Sequence, residues 1–217
     1  QVDWTVGEIL NTLDKSGIAE NTMIVLSSDN GSFMYRVGEH SNHPAGSDGH
    51  VTDVTKQAFD PNNHQSNFIF RGTKADIYEG GHHVPFFVRW PQEIAPAKDN
   101  HTICHTDFFA TVAEVLNIDT NNDLEGEDSF SFLSLLKNEN DYTREPVIHH
   151  SANGTFAIRK GNWKLILNYG SGGRQKPAGK PFEGEYQLYN LLNDLKESNN
   201  LVKDNPDKVK ELIEDFN

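Results

Sequence analysis

Val2, Val6, Ile9, Leu10 and Leu13 recur at three- and four-residue spacing, which puts them on one face of a helix. Lys15 and Gly17 then supply a basic last turn and a stop. After a polar Glu20-Asn21 turn, the apolar run Met23-Ile24-Val25-Leu26 ends in Ser27-Ser28-Asp29-Asn30-Gly31, which predicts a buried strand feeding a polar loop. A helix followed by a fully apolar strand predicts an α/β unit with a mainly parallel sheet, whose ligands collect beyond the carboxyl ends of its strands. Asp29 and Asn30 fall at that place.

Residues 31–67 are rich in Gly, Ser, Asn, Asp and His and show little periodicity, far more than an ordinary connection requires. Residues 84–90 predict a second strand, with Pro85 near its start where a missing N–H is tolerated. Residues 107–116 predict a helix with a Phe108, Phe109, Val112, Val115 and Leu116 stripe and Thr106 as cap. Both are expected in the core. Beyond an acidic, Asn-rich stretch at 119–128 and a short helix at 132–136, the pattern turns to separate strands at 147–150, 155–159, 163–167 and 187–189. Lys160-Gly161-Asn162 reads as a tight turn, and 171–184 as a polar loop. Asn205-Pro206 opens a terminal helix carrying Val209, Leu212, Ile213 and Phe216 in register. The later part thus predicts a small antiparallel sheet with a packed helix, and the expected division is 1–140 and 141–217.

The chain has 217 residues, with 19 Lys and Arg against 32 Asp and Glu, a formal charge of −13 that argues against nucleic acid as a partner. A 35% hydrophobic content with 13 Phe excludes a disordered chain. Cys104 stands alone, so no internal disulfide is expected and a buried thiol is. No stretch reaches the ~20 apolar residues of a membrane span, and Gln1-Val2-Asp3-Trp4 lacks a signal pattern, so the chain is expected to begin within a longer protein.

Asp29 and Asn30 are adjacent oxygen donors of the kind a hard divalent cation selects, although Asp-Asn-Gly is also an ordinary turn sequence. Lys74, in Arg71-Gly72-Thr73-Lys74, is a compact charge that could neutralise an oxyanion, or simply a solvated lysine. His40, His43, His50 and His64 sit in the long loop. His40 and His43 lack the second ligand pair of a zinc site. His64, Arg71 and His82 are candidate substrate contacts. Asn100-His101-Thr102 and Asn153-Gly154-Thr155 match glycosylation sequons, a pattern common by chance.

Taken together, Ile24-Val25-Leu26-Ser27-Ser28-Asp29-Asn30-Gly31 and Arg71-Gly72-Thr73-Lys74, with Tyr78-Glu79-Gly80-Gly81-His82-His83-Val84-Pro85-Phe86-Phe87-Val88-Arg89-Trp90-Pro91, resemble the second half of the formylglycine-dependent sulfatases, of the alkaline-phosphatase-like superfamily. Thr106-Asp107-Phe108-Phe109-Ala110-Thr111-Val112 is similar to the family's following helix. Tyr189-Asn190-Leu191 and Glu197-Ser198-Asn199-Asn200-Leu201 are similar to its terminal segment. The resemblance implies an α/β alkaline-phosphatase-like sulfatase fold, here the C-terminal portion of a large mixed sheet plus the small antiparallel sheet.

It further implies a calcium-dependent hydrolase of sulfate esters (Mg²⁺ being possible), in which Asp29 and Asn30 are metal ligands and Lys74 is catalytic, binding the sulfate and assisting the leaving oxygen. The nucleophile, a formylglycine made from Cys or Ser in Cys/Ser-x-Pro-x-Arg, is expected upstream. Cys104-His105-Thr106-Asp107 does not fit that motif, so this chain alone is expected to be inactive. Expected partners are a sulfated small molecule or polysaccharide and the N-terminal part of the same protein, in the periplasm or outside the cell. His83 stands where many relatives have Arg, and Asp194-Leu195-Lys196 lacks their Pro. The alternatives are a phosphodiesterase or phosphonate monoester hydrolase of the same superfamily, and a non-catalytic domain that binds sulfated glycans or regulates a partner; the charge of −13 weighs against the last.

Overall fold

The computed structural model describes residues 1–32, 66–120, 126–139 and 142–216, so His40, His43, His50 and His64 lie outside the described residues. The chain forms two compact units, one of Gln1–Ser27 with Pro85–Glu145, the other of Ser28–Val84 with Pro146–Asn217. The elements of the first are α1 (Val2–Lys15), β1 (Ile24–Ser27), β2 (Phe86–Arg89), α3 (Asp107–Val115) and α4 (Leu133–Leu136). The second contains α2 (Glu79–His82), β3 (Val147–His150), β4 (Phe156–Lys160), β5 (Trp163–Ile166), β6 (Gln187–Asn190) and α5 (Pro206–Phe216).

In the first unit, β1 pairs with β2 antiparallel, from Ile24 opposite Arg89 to Ser27 opposite Phe86. No parallel pair forms among the described residues, contrary to the sequence expectation. The long connection between the strands sets no direction, since only short hairpins and crossovers constrain it. Helix α1 ends as expected, with Gly17 at φ +69°, but none of its residues is buried; Val2 and Trp4 are each 69% exposed. The stripe of α3 is similarly open, with Phe108, Phe109 and Leu116 exposed, so the core expected there is not closed among the described residues.

Thr106 does not cap α3 through its side chain, because its backbone is already helical at φ −59°, ψ −29°. The adjacent Asp107 is buried and ties the start of α3 to its surroundings: its carboxylate accepts from Cys104 N at 2.7 Å and Phe130 N at 3.1 Å, and binds Arg144 with both oxygens at 2.8 and 2.9 Å. Such a bidentate pair fixes geometry as well as charge. Cys104 is only half-buried.

In the second unit, β3-β4-β5-β6 form an antiparallel meander, as the strand pattern predicts. Period-2 alternation sorts its side chains onto two faces. Ile158, Leu165 and Leu188 lie on one, against Leu212 of α5 and partly buried Phe156, Trp163, Val209, Ile213 and Phe216. Ala157, Ile166 and Tyr189 lie on the other, against Ile77 and Tyr78. The sheet is therefore covered on both faces, and the polar side chains within it, Lys164 and Gln187, are buried. Leu212 is 0% exposed, and truncating it leaves a cavity; Leu212→Ala should lower stability by about 2–5 kcal/mol in urea unfolding, and a loss under 1 kcal/mol would refute tight packing of α5.

Candidate functional site

Asp29 and Asn30 follow β1 in a loop held by backbone contacts. Gly31 N donates to Gly81 O at 3.0 Å, and Gly80 N donates to Arg71 O at 2.7 Å. A Cβ on Gly31 would overlap the carbonyl oxygen of Gly80, and one on Gly80 would overlap that of Gly72. Only glycine permits this approach. The buried Asn67 completes the junction: its Oδ1 accepts from Ser32 N at 2.8 Å, while its Nδ2 donates to Ser32 O and Gly72 O at 3.1 and 3.0 Å. Lys74 N donates to Ser32 O at 3.3 Å. Asp29, Asn30 and Lys74 therefore stand on adjoining loops, although more than forty residues separate the pair from the lysine (74 − 30 = 44).

Asp29 and Lys74 are exposed, and Asn30 is half-buried. Among the described residues, no hydrogen bond or ion pair occupies the Asp29 carboxylate, the Lys74 ammonium or Asn30 Oδ1; Asn30 Nδ2 makes only a long contact, 3.4 Å, to Gly31 O. Two hard oxygens suit calcium or magnesium chemically, but calcium takes 6–8. No group of three or more His, Cys, Asp or Glu gathers there among the described residues.

Arg71 takes a different place from the one expected. Its guanidinium stacks over the Tyr78 ring at 3.8 Å and donates to Tyr189 OH at 3.2 Å and Glu197 O at 2.8 Å. These contacts turn it toward the small sheet and make it an anchor for the Lys74 turn. His82 meets the His149 ring edge-on at 4.5 Å. Burial, then the charge of Lys164, pushes the His82 imidazole down to about 4, and the same two causes hold His149 well below the usual histidine range. Both rings are neutral at pH 7, so His82 can offer a hydrogen bond but no charge.

Sequence reading passed over a buried ion cluster behind this site. Lys164 Nζ lies 2.9 Å from both Glu79 Oε1 and Glu197 Oε1. Arg159 Nη1 and His83 Nδ1 reach Glu79 Oε2 at 2.9 and 3.1 Å. Glu79 N donates to Glu197 Oε2 at 2.7 Å. Burial opposes the Glu79 charge, but Lys164, His83 and Arg159 outweigh it and hold its carboxyl well below the usual range. Burial dominates at Glu197, whose pKa is raised despite Lys164. Burial likewise opposes the Lys164 charge, and the two carboxylates overcome it. Arg159 thus supplies Glu79 with a guanidinium from the small sheet, beside the His83 that stands where many relatives have Arg. The signal was present in β5: Lys164 occupies an alternating position that faces Ile77 and Tyr78, where an unpaired ammonium would be prohibitive.

Asn153 is occupied as well. Its Oδ1 accepts from Thr155 N and Oγ1 at 3.0 and 2.8 Å, and its Nδ2 donates to Gly179 O at 3.2 Å. That sequon therefore builds a turn.

A sequence profile of the sulfatase family matches residues 1–118, and one described as N-sulphoglucosamine sulphohydrolase, C-terminal, matches 72–216. The chain is 34% identical to an N-acetylgalactosamine-6-O-sulfatase of Bacteroides thetaiotaomicron, over 99% of this chain and 39% of that protein. It is 30% identical to human steryl-sulfatase, over 70% of this chain and 23% of that protein. It thus spans less than half the length of either relative. A solved Bacteroides thetaiotaomicron structure, described with the metabolism of multiple glycosaminoglycans, superposes with a TM-score of 0.78 at 33% identity, covering 99% of this chain and 42% of that one.

Replacing Lys164 by Met should cost about 3–5 kcal/mol at pH 7, because two carboxylates stay buried with one fewer cation. In the wild type the folded pKa of Glu79 lies below its unfolded value, so its contribution is present above the ordinary glutamate pKa and lost as the pH falls. Without Lys164 the buried carboxyls favour protons instead, so the stability gap in urea unfolding should narrow from pH 7 toward about 4. A gap independent of pH would contradict the pairing.

Proposed function

Because this chain belongs to the sulfatase family, we propose that it is the C-terminal part of a calcium-dependent sulfatase that hydrolyses sulfate esters on carbohydrates. The observation that carries this reading is the junction at Gly31, Asn67 and Gly80, which brings two hard oxygen donors and an unpaired ammonium onto adjoining loops. Asp29 and Asn30 would hold the cation, and the chemistry it supplies when bound is polarisation of a sulfate oxygen. The remaining ligands, and the nucleophile, would come from chain preceding this sequence.

Lys74 offsets the charge of the bound sulfate and holds a proton for the ester oxygen as it leaves. His82, neutral at pH 7, and His64 supply hydrogen-bonding contacts to substrate. Carbohydrate substrates are favoured because the relative of highest coverage named above acts on an N-acetylgalactosamine sulfate. The exposed apolar side chains of the first unit, among them Val2, Trp4, Phe87 and Phe109, are suited to burial against the N-terminal part of the same protein. The proposed location is the periplasm or outside the cell.

The test is a chromogenic aryl sulfate offered to this chain and to a form extended upstream through a Cys/Ser-x-Pro-x-Arg motif, co-expressed with the formylglycine-generating enzyme. Only the extended form should turn over. Lys74→Ala should lower its kcat by about 10²–10³, and Asp29→Ala should raise the calcium concentration needed for half-maximal rate. Cleavage of phosphodiesters in place of sulfate would move the protein to the other branch of the superfamily.

A further inference from the structure

Between Lys74 and the small sheet lies a carboxylate that the proposed chemistry does not use. Asp76 is 0% exposed, and its two oxygens face two different segments. Oδ2 accepts from Thr73 N at 2.9 Å, within the turn that carries Lys74. Oδ1 accepts from Arg174 N at 2.5 Å and Gln175 N at 3.1 Å, about a hundred residues on. The same two segments are joined again by Ile77 N to Ser171 O at 2.8 Å, and the turn closes on itself through Asp76 N to Thr73 O at 2.9 Å. A Cβ on Gly173 would overlap the Ala75 carbonyl oxygen, so the loop backbone lies directly on the turn.

The turn itself is strained. Ala75, between Lys74 and Asp76, has φ +82°, a left-handed conformation that an L side chain rarely adopts. Such a residue persists only where its surroundings over-determine it, and strain of this kind gathers at functional sites. The Asp76 carboxylate is the group that over-determines it: three backbone N–H donors from both segments converge on its oxygens. The loop 171–175 is held rigid in turn, by Ser171 Oγ to Gln175 O at 2.7 Å and Gly173 N to Ser171 Oγ at 3.1 Å.

We propose that Asp76 is a positioning residue for Lys74: by clamping the 171–175 loop to the strained turn, it fixes the direction in which the ammonium is presented to the leaving oxygen of the substrate. The clamp is built from backbone donors, so it depends on the loop's shape more than on its side chains. This inference rests on the reading of Lys74 as the group that serves the leaving oxygen.

The experiment is a double-mutant cycle in the full-length, formylglycine-loaded enzyme, with Asp76→Asn, Lys74→Ala and both together. An aryl sulfate with a good leaving group is compared with a sugar sulfate whose leaving oxygen needs a proton. Asp76→Asn should lower kcat on the sugar sulfate by about 10-fold or more, change its KM by less than about threefold, and cost little on the aryl sulfate. In the Lys74→Ala background it should cost almost nothing further. Gln175→Pro, which removes one donor of the clamp and leaves the carboxylate charged, should give a smaller loss with the same leaving-group dependence, and serves if Asp76→Asn does not fold. Equal losses with and without Lys74, or on both substrates alike, would overturn the positioning role while leaving Lys74 catalytic. An unimpaired Lys74→Ala enzyme would overturn the reading of Lys74 and this inference with it.

Discussion

The arrangement depends most on the direct contact of backbone with backbone at Gly31, Gly72, Gly80 and Gly81. No side chain separates the loop after β1 from Gly80, or Gly80 from the backbone of Arg71 and Gly72, and a single methyl group on Gly31 or Gly80 would force these segments apart. Because the contact is made by main chain, its hydrogen bonds run between peptide groups, with the buried Asn67 amide satisfying those that remain. Peptide groups buried together must be paired. That requirement fixes the loops to within hydrogen-bond tolerance, which side-chain packing alone would not do.

Behind this contact, electrostatics replaces apolar packing. The sheet face that meets Ile77 and Tyr78 also carries Arg159 and Lys164, and the carboxylates of Glu79 and Glu197 meet them there. Two acids and two bases buried together are tolerable only as a set, since removing one leaves an uncompensated charge in a poorly solvating interior. Glu79 belongs to the same short segment as Gly80 and Gly81, so the residue that neutralises the sheet also sets the glycines in place. The stacking of Arg71 on Tyr78 adds a third cation to the same wall. The exposed ends of this construction, Asp29 and Lys74, can thus remain solvated while their backbones are rigidly held.

Much of this was legible in the chain. Period-2 alternation found β3 to β6 to within a residue or two, and Pro206 marked the start of α5, because local propensity and burial agree there. The motif residues singled out Asp29, Asn30 and Lys74. Other expectations failed for identifiable reasons. Thr106 was read as a cap from its residue type, whereas its backbone is already helical and its side chain makes no capping hydrogen bond. For Arg71, named only as a candidate substrate contact, no pattern along the chain showed that an aromatic face and a carbonyl draw its guanidinium toward the small sheet. The apolar stripe of α3 was read as core, and the described residues leave it open.

The sequence by itself determined the helices and strands, the family, and which residue types would carry chemistry, because these follow from periodicity and from short motifs whose members lie near one another along the chain. Only the tertiary structure decided the partners of Glu79, the clamp from Asp76 to the 171–175 loop, the inward turn of Arg71 and the lowered pKa of His82. Each of these joins groups that are local in space and distant in sequence, such as Asp76 and Arg174, which are 98 residues apart. Burial and long-range Coulomb interactions depend on which surfaces meet, and no pattern along a single chain encodes that meeting.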